Sequence, residues 1–305
     1  MSEQLTLGAD AHVVANEGDA AAALWWSDVP RLPGEKLGVI GDFEAQTRAG
    51  AHAVLAQAMR RLREEGCTLA VGPIDGNTWR RYRFVTEPGI EPPFWLEPAN
   101  PAAWPEWWRE AGFTSLADYF STATDDLGAR DARLDGVVRR MDAAGVRIRN
   151  LDATQFEAEL ERIYAVSVVS FQPNYLYTPL PAEAFMAQYR GLKATVLPEL
   201  VLLAEQAGKP VGYVFAVPDL AQAQRGERVS TVIVKTLAVL PGRTYSGLGA
   251  VLLDAVHAAA RQRGFTRAIH ALMHETNASR NLSAHYARTI RRYTLFAQRL
   301  GGPVL

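Results

Sequence analysis

The chain has a single cysteine, Cys67, in 305 residues. That excludes a disulfide framework and a cysteine-built metal site. No uninterrupted apolar run approaches the ~18 residues a membrane-spanning helix needs. Charge of one sign is also missing: 32 Lys and Arg stand against 33 Asp and Glu. With no basic tail or stripe, a nucleic-acid-binding face is not indicated. The first residues, MSEQLTLGADAH, have neither the basic nor the apolar region of a secretory signal. Tryptophan is absent beyond position 108: Trp25, Trp26, Trp79, Trp95, Trp104, Trp107 and Trp108 are all of them. The expectation is a cytoplasmic protein with no membrane or nucleic-acid partner and unstated oligomeric state. Its length suggests about two domains on a ~150-residue prior.

What is present centres on Lys235 to Gly264. Thr236 to Leu240 is a short apolar run with β-branched members, a candidate buried strand, and Pro241-Gly242 stops it. Leu248, Val251, Leu252, Ala255, Val256 and Ala259 then recur at the spacing of one helix face. Arg261 and Arg263 precede a terminating Gly264. Gly247 and Gly249 stand where a helix leaves four backbone N–H groups without partners. A phosphate satisfies such groups when no side chain blocks its approach. The third glycine of a dinucleotide-binding turn is missing, and no Lys-Ser/Thr pair makes this a P-loop.

The order hairpin, strand, helix, strand occurs twice. VVANEGDAAAALWW parallels LLAEQAGKPVGYVF, and GCTLAVGP, after a helix ending RLREEG, parallels GFTRAIHA, after one ending ARQRG. The first copy lacks the strand and two helices, near 146–151, 152–171 and 182–190, that precede the hairpin in the second. Its helix start offers Ala49 and Ala51, or Gly50 and His52, against Gly247 and Gly249. It is therefore expected to bind no cofactor. We place an incomplete domain at 1–128, a linker helix at 129–145 and a complete domain at 146–305.

This arrangement resembles the GCN5-related N-acetyltransferase (GNAT) superfamily, and residues 72–83, GPIDGNTWRRYR, resemble a stretch of its two-domain members. The resemblance implies an α/β (α+β) fold of two tandem GNAT-like domains, each a mixed, mostly antiparallel sheet flanked by helices. It implies acetyl-CoA as co-substrate and direct transfer of an acetyl group to the amine of a small molecule or peptide. The cofactor residues it implies are Leu237, Ala238 and Val239 on the strand edge, Arg243, Thr244, Tyr245, Ser246, Gly247, Leu248, Gly249 and Ala250 in the turn, and Asn277. Thr244 stands where the family has Gln or Arg, with Arg243 beside it. Tyr286 is the implied general acid, although Ala284 occupies the family's usual spacing.

Alternatives stay open on the residues alone. A non-catalytic acyl-CoA-binding or scaffolding protein fits the Thr244 departure and the absence of a clear acid or base. His270, His274 and Glu275 offer a base or, on a helix, two zinc ligands, but the segment reads as strand into loop and a third ligand is missing; the expectation is no metal. The tryptophans line an acceptor pocket with Arg80, Arg81 and Arg83, or serve as core and interface. Tyr175 and Tyr177 shape acceptor binding, or pack a loop.

Overall fold

A computed structural model describes residues 8–15, 18–276 and 286–301. The first half opens with the hairpin of β1 (Ala11–Ala15) and β2 (Ala20–Trp25), then β3 (Leu37–Ala45), α1 (Arg48–Glu64) and β4 (Leu69–Gly72). β5 (Phe84–Glu87), α2 (Trp104–Glu110) and β6 (Thr114–Thr124) complete it, and α3 (Leu134–Ala143) leads to the second half.

That half begins with three elements that the first lacks: β7 (Val146–Asn150), α4 (Phe156–Ser170) and α5 (Ala182–Arg190). The repeated order then returns as β8 (Val201–Gln206), β9 (Lys209–Pro218), β10 (Thr231–Val239), α7 (Leu248–Gln262) and β11 (Arg267–His274). A short helix, α6 (Leu220–Gln224), lies in what reads from sequence as a polar loop, and β12 (Arg288–Arg299) ends the described chain. β10 starts five residues before the apolar run read at Thr236.

The strands form one sheet in the order β1-β2-β3-β4-β12-β6-β11-β10-β9-β8-β7, with β5 paired to β12. Each half contains one parallel pair, β3 with β4 and β10 with β11. The last strand of each half lies beside the other half's parallel pair: β12 pairs with β4, β6 pairs with β11, and β6 and β12 pair with each other. The halves thus exchange their final strands and share an uninterrupted ladder.

Apolar periodicity explains the layers. α1 turns Val54, Leu55, Ala58 and Leu62 onto one face of the first half, with Trp108 and Phe113. α7 and α3 cover the same face of the second half, through Leu252, Val256 and Met141. On the opposite face, α4 and α5 bury Leu160, Ile163 and Phe185 over the second half. The first half has no such helices. Leu176, from the loop between α4 and α5, is instead buried among Trp25, Val39 and Tyr293 on that bare face.

Candidate active site

β10 and β11 pair only from Thr231↔Arg267 to Val234↔His270, although both strands run on. A bulge at Lys235 turns β10 away, and from Thr236 to Val239 it pairs with β9 alone. β11 carries its own irregularity, with Leu272 at φ 62°, and continues against β6. The strands therefore fork. The Leu240 N–H donates to the Val211 carbonyl at 2.9 Å. Antiparallel alternation then turns the Ala238 N–H toward β9 and the Leu237 and Val239 N–H groups toward the fork.

The turn above the fork is a single 3₁₀ turn, Arg243–Tyr245. The Tyr245 hydroxyl donates to Gln206 at 2.7 Å, which pins the turn to β8 and directs that side chain away from the helix end. Arg243, Thr244, Ser246 and Gly247 are exposed. Gly247, at φ 86°, is the N-cap of α7 and offers no side-chain cap. The left-handed backbone there requires glycine, and a Cβ would lie 2.9 Å from Val137 of α3. Arg140, one turn on, donates to the Ser246 carbonyl. The helix between the halves thus packs on the turn, a contact that reading 129–145 as a linker helix did not reveal.

The equivalent region of the first half is closed. Thr47 caps α1 by accepting the Gly50 N–H at 3.1 Å, and its hydroxyl donates to Asp19. A carboxylate therefore stands where a phosphate would approach. The β3 edge is filled by its own chain: the Ile74 N–H donates to the Ile40 carbonyl at 2.9 Å, and the Asp42 N–H donates to the Asp75 carboxylate at 2.7 Å.

On the α4 side of the fork, the two halves meet around Arg83. Of the three arginines singled out in sequence, Arg80 is exposed and Arg81 pairs with Asp42 and Asp75. Arg83 is only 6% exposed. Its guanidinium lies 4.0 Å from the Tyr82 ring centroid and 4.3 Å from that of Tyr119. Partly buried Lys235 projects to the same place and donates to the Leu96 carbonyl at 3.3 Å. Burial, then the nearby Arg83 charge, lowers its pKa to about 8. A lysine inside the apolar run Thr231–Val239 was a legible signal that sequence reasoning passed over.

His274 packs against Tyr119 and Tyr175 at the rim. It accepts the Thr276 N–H on Nδ1 at 3.1 Å, which engages its basic nitrogen. Glu275 lies away from Arg83 and pairs with Arg292. His270 lies on the other face, with its Nε2 3.0 Å from that of His257 and its Nδ1 3.3 Å from the Thr122 hydroxyl. Burial lowers both imidazole pKa values, His257 to about 4 and His270 to about 3. His270 and His274 therefore do not converge on one point. Tyr286 sits edge-on to His257 and His270, with ring centroids 6.3 and 6.5 Å away, and burial pushes its pKa up to about 12. Asn277 lies outside the described residues.

The tryptophans divide as well. Trp108 and Trp25 are core. Trp79 is an interface residue: its indole N–H donates to the Thr178 carbonyl at 2.7 Å, and its ring meets Phe171, Tyr177 and Phe185. A cavity of about 630 Å³ opens on the other face, by Asp118, Glu275, Arg292 and Thr294. Its polar groups are engaged with each other, Thr294 with Asp118 and Arg292 with Glu275.

Residues 160–287 match the model of the acetyltransferase (GNAT) family. A bacterial ceramide synthase from Caulobacter vibrioides is 24% identical over 162 residues, 53% of this chain but only 42% of that protein. Among solved structures, a GCN5-related N-acetyltransferase from Sphaerobacter thermophilus superposes with a TM-score of 0.51 at 13% identity, over 95% of this chain and 80% of its own. A tandem GNAT protein from the clavulanic acid biosynthesis pathway does so with 0.50 at 12%, over 96% and 85%. Residues 160–287, which hold the forked parallel pair and the glycine-capped helix, thus form a domain of the acetyltransferase (GNAT) family, and the fold of the chain is similar to that of tandem GNAT proteins.

Proposed function

We propose that the chain is an acetyl-CoA-dependent N-acetyltransferase whose second half alone holds the co-substrate. The observation that carries this is the pairing of an open β10 edge with an uncapped α7 N-terminus. Acetyl-CoA supplies the acetyl group as a thioester; the amine nitrogen bonds to the carbonyl carbon as the C–S bond breaks. In this reading the N–H groups of the turn from Thr244 to Ala250 hold the pyrophosphate. The Leu237–Val239 edge pairs with the pantetheine arm. The Val239 N–H donates to the carbonyl oxygen as it gains charge. Tyr286 returns a proton to the departing thiolate.

Among the described residues no side chain at the fork is a free strong base, and the chemistry does not require one. The environment that lowers the Lys235 pKa also disfavours the ammonium form of an acceptor. A neutral amine held against the thioester gains most of its rate from positioning.

The test is thermal unfolding with acetyl-CoA, then thiol release with a panel of amines. Binding at a hundredfold excess over Kd should stabilise the protein by ~2.7 kcal/mol, and one or more amines should release thiol. No shift at millimolar acetyl-CoA overturns the reading. Binding without turnover of any amine favours the non-catalytic alternative. Because a relative bears the name ceramide synthase, and a ceramide is an N-acyl amine, long-chain acyl-CoA belongs in the same panel.

A further inference from the structure

Among the described residues Arg83 is a buried cation without a counter-ion. Among the described residues no carboxylate lies within ion-pair distance of it. Its one hydrogen bond is a long one, from Nη1 to the Leu272 carbonyl at 3.4 Å. Its Nε is buried and has no partner. Glu97, whose charge acts on Lys235, is already engaged: Arg291 Nε donates to it at 2.8 Å and the Tyr293 hydroxyl donates to it. Burying a guanidinium this way costs several kcal/mol unless an anion completes it. A second cation, Lys235, whose charge interacts with that of Arg83, comes from the other half, and among the described residues it hydrogen-bonds only to the Leu96 backbone carbonyl.

Backbone conformation supports the same conclusion. Arg83 is at φ 65° and Leu272 at φ 62°, and these two residues, one from each half, are joined by the Nη1 bond. Non-glycine residues in this region cost free energy, and such strain concentrates at ligand clamps. The guanidinium lies over the rings of Tyr82 and Tyr119, which are nearly perpendicular to each other. The free Nε–Nη2 edge is the fork that matches a carboxylate bidentately. Around the buried Arg83, the side chains of Tyr82, Tyr175, Lys235 and His274 are each only partly buried.

We infer that Arg83 and Lys235 bind a carboxylate of the acceptor, so that the substrate is an amine bearing a carboxylate, of the amino-acid class. This rests on the acyl-transfer reading above and adds what receives the group. The first half then contributes the acceptor's anchor, and the second half contributes the cofactor's.

The experiment uses the full chain with acetyl-CoA and pairs of acceptors that differ by one carboxylate, such as an amino acid and the amine left by its decarboxylation, with a phosphorylated amine as a third arm. The carboxylated member should have a kcat/KM at least about 30-fold higher, as expected for a buried charge pair. Arg83→Gln should remove that preference mainly through KM, and Arg83→Lys should restore part of it, while the thermal shift with acetyl-CoA is retained in both. Equal use of each pair by the wild-type protein overturns the inference without touching the cofactor reading. Preference for the phosphorylated amine also overturns it. If Arg83→Gln does not fold, the wild-type comparison and competition by the des-amino carboxylate decide: competition is expected, and its absence is contrary.

Discussion

The two halves carry the same order of elements and differ at the two places where the proposed acetyl-CoA would sit. In the second, the helix after the parallel strand begins at bare Gly247, and among the described residues no strand pairs with the free edge of Thr236–Val239. In the first, Thr47 and Asp19 occupy the helix start, and Ile74 and Asp75 occupy the strand edge. The same topology is open in one place and closed in the other. The chain's own polar groups decide which, by satisfying the backbone donors a ligand would otherwise take.

The comparison can be broken most severely at Gly247. Gly247→Trp puts a side chain at φ 86°, with its Cβ 2.9 Å from Val137. We expect complete loss of acetyl-CoA stabilisation, read by thermal shift, in a protein that is itself weakened by ~1–3 kcal/mol. A smaller effect is expected in the first half. Asp75→Ala leaves the Asp42 N–H without its acceptor and should cost ~1–3 kcal/mol in denaturant unfolding, yet cofactor affinity should not change. Thr47→Ala removes the α1 cap and should cost ~1 kcal/mol, again with unchanged cofactor affinity. A loss of affinity in either variant would mean that the first half takes part in binding.

The smallest effect concerns the buried histidines. His257 and His270 have folded pKa values below the ordinary 6.5, so their contribution to stability is present above 6.5 and is lost as pH falls from there toward about 4. Unfolding free energy should decline across that window. His257→Gln should flatten the decline, because no buried imidazole pair then has to charge.

Much of this was legible in the residues. The β8–β11 order, the α7 stripe and the repeat follow from periods of two and 3.6. Gly247 was visible because only a backbone needing positive φ and close approach explains glycine there. The exchange of β6 and β12 was not visible, since no local pattern states which of two similar halves a strand will join. β5 was missed for a related reason: four residues in a proline-rich stretch become a strand by pairing with residues near 292–294. Arg83 looked like its neighbours Arg80 and Arg81. Only the fold shows that one of the three is buried and lacks a carboxylate.

The central claim is that the chain has two GNAT-like halves and one acetyl-CoA site. Calorimetric titration of the intact protein with acetyl-CoA tests it most directly. One molecule per chain is predicted, lost in Gly247→Trp and kept in Thr47→Ala. Two molecules per chain, or one that survives Gly247→Trp, would contradict it.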